Sequence, residues 1–170
     1  EEEILHLDNR WRGRNAAYDA AVCNQIWGYL GMIAPGETIV TMPGVAESWT
    51  WNADRTSVSF VLREGLTFHD GSSLTAEDVE YSWKNGMYVY SYLDNMTDPA
   101  WADNYNFTYA SGDSLEFTIS STTNWPDPME EFDFCGQWAI KALIPKDSMN
   151  TEQQELDFDR MPISCGPYYL

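Results

Sequence analysis

Between Pro43 and Trp83 the chain reads PGVAESWTWNADRTSVSFVLREGLTFHDGSSLTAEDVEYSW, and few folds satisfy that order of residues. Trp49 and Trp51 fall on one face of a strand, Asn52 to Arg55 supply turn residues, and Val58, Phe60 and Leu62 alternate with Ser57, Ser59 and Arg63. Period-two alternation on both sides of a short turn predicts an antiparallel hairpin with one buried face. Glu64-Gly65 then breaks the strand, Phe68 returns an aromatic ring to the core, and Asp70-Gly71 offers the positive-φ position of a sharp turn. Thr75 is placed to cap a helix, with Asp78 three residues on and acidic groups in the first turn to suit the helix dipole. Val79, Trp83, Met87 and Tyr90 form its apolar stripe, which predicts a helix from about Thr75 to Leu93 packed on the hairpin through Trp49, Phe60, Trp83 and Met87.

The flanks extend the same mixed α/β pattern, with no repeat and no low-complexity tract. Ile4 to Leu7 reads as a short strand, Ala16 to Leu30 as a helix with Tyr18, Val22, Ile26 and Tyr29 on one face, and Thr38 to Met42 as a strand ahead of a Pro43-Gly44 turn. Phe107 and Tyr109, then Leu115, Phe117 and Ile119, flank Ser111-Gly112-Asp113-Ser114 as a second hairpin. Trp125-Pro126-Asp127-Pro128 breaks the chain before a short acidic helix near Met129 to Phe134, Trp138 to Ile144 reads as a buried strand, and the polar run from Lys146 to Leu156 as a surface helix or turn. The segment Asn95 to Asn106 shows little periodicity and reads as a loop.

Composition narrows the function classes. Against 27 acidic residues stand 9 basic ones, a net charge of −18 that repels nucleic acid and anionic membrane surfaces. No stretch approaches the roughly 18 consecutive apolar residues of a membrane-spanning helix. Eight Trp, ten Tyr and seven Phe, within 44% hydrophobic residues, suffice for a core in a chain of 170, so the acidity reads as a well-solvated surface. The chain opens Glu1-Glu2-Glu3, without a basic start, an apolar leader core or a nearby lipid-accepting Cys, so a secreted form would have lost its signal segment. Cys23, Cys135 and Cys165 cannot all pair within the chain. One disulfide, with Cys135 and Cys165 the candidate pair, or three reduced thiols are the two alternatives.

Catalytic and metal chemistry find no motif. His6 and His69 have no partner at a metal-ligand spacing, and His69, inside Phe68-His69-Asp70-Gly71, reads as a hydrogen-bonding residue of a turn. Nucleophile elbows, phosphate-cradling glycine loops and calcium loops are absent from the sequence. Glu130 and Glu131 are adjacent carboxylates, but neighbours on a helix point apart. The expectation is a protein with no catalytic residues, no metal and no cofactor.

The hairpin-turn-helix stretch resembles the signature region of the extracellular solute-binding proteins of family 5, the dipeptide, oligopeptide and nickel-type receptors of ABC importers. The matching residues are Val45-Ala46-Glu47-Ser48-Trp49, Phe60-Val61-Leu62-Arg63-Glu64-Gly65, Phe68-His69-Asp70-Gly71 and Leu74-Thr75-Ala76-Glu77-Asp78-Val79. Upstream, Trp27-Gly28-Tyr29-Leu30 is similar to the aromatic-Glu-Gly-Leu end of the family's first helix, with Gly28 where Glu is common. Downstream, Pro162-Ile163-Ser164-Cys165-Gly166-Pro167-Tyr168 resembles the P-x-G-T-G-P-Y strand entry, with Ser164-Cys165 for Gly-Thr. The likeness covers most of Leu5 to Leu170.

The resemblance implies one lobe of a two-lobed periplasmic-binding-protein-like fold, here an N-terminal portion of a chain typically about three times as long. Residues 1–42 would begin the first lobe, 43–160 would form the hairpin-plus-helix subdomain, and 161–170 would return as a strand to the first lobe. It implies capture of a small solute, foremost a short peptide, outside the cytoplasmic membrane, in the periplasm or as a cell-surface lipoprotein, and delivery to an ABC permease. Oligosaccharide is the second ligand candidate and a nickel complex the third. A stand-alone secreted carbohydrate-binding or interaction module is the alternative class, and a glycan-cleaving enzyme lies beyond it. Ligand-facing side chains are expected at Asn24, Trp27, Tyr88, Tyr90, Tyr92 and Trp138, where aromatic walls combine apolar area with a hydroxyl or indole N–H. Strand edges completed by later chain would favour self-association of this portion alone, which the charge opposes.

Overall fold

The computed structural model describes residues 25–37, 40–88, 105–121 and 143–168. Two antiparallel sheets are present among them. The smaller pairs β1 (Gly31–Ile33) with β2 (Val40–Pro43), matching Met32 to Met42. The larger has four strands, β3 (Ala46–Trp51), β4 (Ser57–Leu62), β5 (Tyr105–Thr108) and β6 (Glu116–Ser121), in the spatial order β3-β4-β6-β5.

The expected first hairpin is β3-β4. Trp49 lies opposite Phe60 and Trp51 opposite Val58, while Phe60 and Val58 face Phe117 and Ile119 across the next ladder. The alternation therefore continues over three strands, stacking Phe60 on Phe117 at 5.2 Å and setting it 6.5 Å from Trp49. The other face carries short hydroxyl side chains, with Thr50, Ser59, Thr118 and Thr108 in one cross-strand row. One face thus belongs to the core and one to solvent, as antiparallel sheets allow. Between the hairpin and the helix, Gly71 takes φ +87°, the left-handed conformation of its Asp-Gly turn.

Helix α1 (Ala76–Tyr88) covers the apolar face. Its Val79 and Trp83 are buried in one cluster with Leu30, Val58, Phe60, Leu62, Phe68, Leu74, Phe117 and Ile119. Trp83 makes T-shaped contacts with Tyr105 and Phe107, the ring centroids 5.9 Å apart in each. At the helix start, Asp78 accepts both the backbone N–H and the hydroxyl of Thr75, at 2.9 and 2.7 Å. The cap is thus side-chain driven, but with the carboxylate as acceptor and Thr75 as donor. Tyr109, just past β5, donates to Glu80 of α1 at 2.5 Å and ties the second hairpin to the helix.

A second, smaller cluster gathers Ile26, Trp27, Tyr29, Ile144, Met149 and Phe158. Phe158 belongs to helix α2 (Glu152–Arg160), capped by Thr151, whose hydroxyl accepts the Gln154 N–H at 3.2 Å.

Several sequence expectations need correction. The first helix ends by Ile26 and not at Leu30, because groups that a helix to Leu30 would pair internally are engaged elsewhere: Tyr168 donates to the Gln25 carbonyl, Gly166 to the Ile26 carbonyl, and the Gly28 N–H donates to the Ser164 hydroxyl. Strand β1 follows at once, between the expected helix and the expected strand from Thr38, where the sequence reading assigned no element. Leu143 and Ile144 are buried as expected but are not in a strand, and the polar run after Lys146 is a turn followed by α2. The strand at Ile4 to Leu7, the acidic helix near Met129 and residues 95–104 of the expected loop lie outside the described residues, as do Cys23 and Cys135, while Tyr105 and Asn106, expected in that loop, open β5. Cys165 carries a free thiol.

Candidate functional site

Three segments distant in sequence meet beside the smaller cluster: residues 25–30, 143–146 and 162–168. The meeting is built from backbone groups that no sheet ladder satisfies. Gly166 N donates to Ile26 O at 3.0 Å and Tyr168 N to Gln25 O at 3.2 Å, so the last segment runs antiparallel to the first. Leu143 N donates to Gly28 O at 3.0 Å on the other side.

Side chains complete the seam. The described residues bury three polar side chains, Asp78, Ser82 and Ser164, and all three bind the seam. Ser164 Oγ accepts the Gly28 N–H at 3.2 Å and donates to Leu143 O at 3.3 Å. Ser82 Oγ accepts the Ile144 N–H at 2.9 Å and lies within bonding distance of the carbonyls of Ile144 and Asp78. Asp78 accepts the Lys146 N–H at 2.8 Å. Pro145 has no N–H to satisfy, so every backbone donor from Leu143 to Lys146 has a partner. A buried backbone group left unmet costs about 1–3 kcal/mol, which is why polar side chains are retained here inside apolar packing.

His69, between β4 and α1, is fastened to the same seam. Its backbone N–H donates to Ser164 O at 2.8 Å, and its Nε2 lies 3.0 Å from Gly166 O. A carbonyl only accepts, so Nε2 carries a hydrogen. The histidine of the Asp-Gly turn therefore holds structure, as its sequence context implied. Cys165, between these two bonded residues, has its sulfur against Gly28, and burial pushes the thiol up to about 12.

Of the six expected ligand-facing residues, Trp27 is the one whose side chain the structure describes. It is 2% exposed, tilted against Phe158 at 5.7 Å, and its indole N–H has no hydrogen-bond partner among the described residues. Tyr88 is the last residue of α1, without a described side chain, while Asn24, Tyr90, Tyr92 and Trp138 lie outside the described residues. Sequence reasoning did not assign Asp78 and Ser82 to the seam. Their spacing of four, one helical turn beside the Val79–Trp83 stripe, was the available signal. Among the described residues no group of three or more His, Cys, Asp or Glu is placed to hold a metal ion, and no helix is long and apolar enough to cross a membrane.

The chain is similar to known proteins over these same elements. The dipeptide-binding protein DppE of Bacillus subtilis (strain 168) is 28% identical over 88 residues, covering 49% of this chain and 16% of the relative. Among solved structures, the binding protein MoaA of A. tumefaciens R10 in complex with mannopinic acid superposes with a TM-score of 0.72 at 22% identity, over 100% of this chain and 33% of its own. A dipeptide-binding protein of Pseudoalteromonas sp. SM9913 in complex with Met-Leu does so with a TM-score of 0.71 at 18% identity, over 97% and 34%. The chain thus spans about a third of the length of these structures and carries a partial region of a periplasmic-binding-protein fold. The model of bacterial extracellular solute-binding proteins, family 5 Middle, matches residues 41–170, from β2 through the seam. The chain belongs to that family of extracellular solute-binding proteins.

Proposed function

We propose that this chain is part of the first lobe of a two-lobed receptor that captures a short peptide outside the cytoplasmic membrane and delivers it to an ABC permease, catalysing no reaction. The observation that carries the reading is family membership over residues 41–170, joined to a dipeptide-binding relative and a dipeptide-bound structural neighbour. Residues 25–30 and 162–168 border the cleft in this reading. They form a bonded pair that emerges to solvent at Tyr168, which is 62% exposed. Asn24, Tyr88, Tyr90, Tyr92 and Trp138 supply ligand-facing side chains in this reading, and Trp27, whose indole N–H has no partner among the described residues, is the sixth.

The physical logic is one of divided labour. A lobe of this kind offers half a cleft, and affinity arises when a second lobe closes over the solute, excluding water and completing the hydrogen bonds. Peptide recognition directed at the backbone, with water filling the side-chain pockets, tolerates many sequences. The test is to express the complete reading frame, purify the protein, denature it and identify released solutes by mass spectrometry. Short peptides should be recovered in near-stoichiometric amount. Recovery of an oligosaccharide or a metal chelate in their place would overturn the peptide assignment.

A further inference from the structure

Strand β5 stands at one edge of the four-stranded sheet and, among the described residues, pairs with β6 alone. Its side chains alternate. Tyr105 is buried and Phe107 packs against the core, each ring centroid 5.9 Å from that of Trp83, while Asn106 and Thr108 are exposed on the opposite face. Asn106-Phe107-Thr108 is an Asn-x-Thr triplet without a central proline, the acceptor pattern of asparagine-linked glycosylation.

The two anchored rings decide which way the triplet faces. Residues two apart on a strand share a face and stand about 7 Å apart, so the Asn106 carboxamide and the Thr108 hydroxyl are offered to solvent side by side. The surrounding surface leaves room for a large polar group. Asn106 lies opposite Ser120, which lies opposite Ser57, and the adjacent row holds Thr108, Thr118, Ser59 and Thr50. In a chain of net charge −18 these two rows carry short hydroxyl side chains and no carboxylate. Two other exposed asparagines differ in both respects. The Asn52 carboxamide is tied to Thr56 and Ser57 and that of Asn150 to Asp147 and Tyr81, and the residues two places on are Asp54 and Glu152. A second triplet, Asn95-Met96-Thr97, lies outside the described residues.

We infer that Asn106 is a site of N-glycosylation. The inference rests on the part of the functional reading that places the chain outside the cytoplasmic membrane. The co-substrate is an oligosaccharide carried on a polyprenyl phosphate or diphosphate. Asn106 Nδ2 attacks C1 of the first sugar: the N–C1 bond forms, the C1–O bond to phosphate breaks with its electron pair leaving on the phosphate, and one amide proton passes to solvent. The product is a bulky, solvated group on an edge strand, where it blocks pairing with the sheet of another molecule.

The test uses the protein expressed from its complete reading frame in the cells that encode it. Intact mass, with electron-transfer fragmentation of proteolytic peptides, should place a glycan on Asn106 in most molecules. Asn106→Gln should lose it. Thr108→Val, which keeps the shape and strand preference of threonine without the hydroxyl, should lose it from Asn106 with thermal unfolding little changed, and Thr108→Ser should retain it. Protein outside the cytoplasmic membrane with an unmodified Asn106, or with glycan confined to Asn95, overturns the inference and leaves the transport reading standing. A glycan on Asn106 that survives Thr108→Val also overturns it, since the modification would then not follow the triplet. Protein that fractionates with the cytoplasm overturns the extracellular placement and the inference with it, a result distinguished by the fractionation itself.

Discussion

The sulfur of Cys165 fills the position that a side chain on Gly28 would need, so these two residues, 137 positions apart, are packed as one. Gly28→Ala should therefore be an overpacking substitution, costing about 1–3 kcal/mol. Cys165→Ala in the same chain should recover part of that loss. Recovery should be incomplete, because the Cys165 carbonyl remains 3.1 Å from the added methyl. Urea unfolding of the four proteins in this cycle measures the coupling. Single costs that simply add, within about 0.5 kcal/mol, would show that the pair is not coupled.

Trp83 should be the costliest single truncation in α1. It is 2% exposed and in T-shaped contact with Tyr105 and Phe107 within the larger cluster. Trp83→Ala should cost about 3–5 kcal/mol. A loss under about 1 kcal/mol in denaturant would contradict its placement as the joint between helix and sheet.

The contrast between Trp83 and Ser82 shows what the sequence could reveal. The hairpin, the Asp-Gly turn, α1 and the second hairpin were legible because each is written in local periodicity, with Val58, Phe60 and Leu62 facing inward and Ser57 and Ser59 outward. The seam was not, because it is made of contacts between residues 25–30, 66–82, 143–146 and 162–168, which no local pattern encodes. A serine beside an apolar stripe looks like a solvated residue until a distant backbone segment arrives to need it. The early end of the first helix has the same origin: tertiary hydrogen bonds from Gly166 and Tyr168 claim the Ile26 and Gln25 carbonyls that a helix to Leu30 would have used. The expected ligand wall came from the resemblance and not from local periodicity, and of its six residues Trp27 is the one with a described side chain, packed against Phe158.

Ser82→Ala tests the seam directly. Removal of one hydroxyl leaves the Ile144 N–H without its acceptor at a buried site, for a cost of about 1–3 kcal/mol. Exchange of the Ile144 amide should accelerate in parallel, ahead of global unfolding. An unchanged Ile144 amide would mean that the segment has another anchor.

Alkaline conditions should erode stability through two groups. The hydrogen bond to Glu80, with burial and the Glu80 and Glu77 charges adding to it, raises Tyr109 from 10.0 to about 12, and burial raises Cys165 from 9.0 to about 12. Both folded pKa values exceed the unfolded ones, so the fold holds these protons more tightly. Their contributions are complete below about pH 9 for Cys165 and pH 10 for Tyr109, and are lost as pH rises towards 12. Denaturant midpoints followed from pH 8 to 11.5 should fall, and Tyr109→Phe should flatten the decline above pH 10. An equally steep decline in that variant would remove Tyr109 from the account. At pH 8 the half-buried Cys165 thiol should stay protonated and react more slowly with thiol-specific reagents in the native chain than in the unfolded one.

The central claim is that this chain is half of a peptide-binding cleft, and calorimetry of two proteins with the same peptide tests it most directly. The receptor from the complete reading frame and the 170-residue chain are titrated with a peptide recovered from the former. The account predicts micromolar or tighter binding by the receptor, about −8 kcal/mol or better, and no better than millimolar binding by the chain alone, about −4 kcal/mol. Equal affinities would contradict the two-lobed reading and make these residues a self-sufficient module.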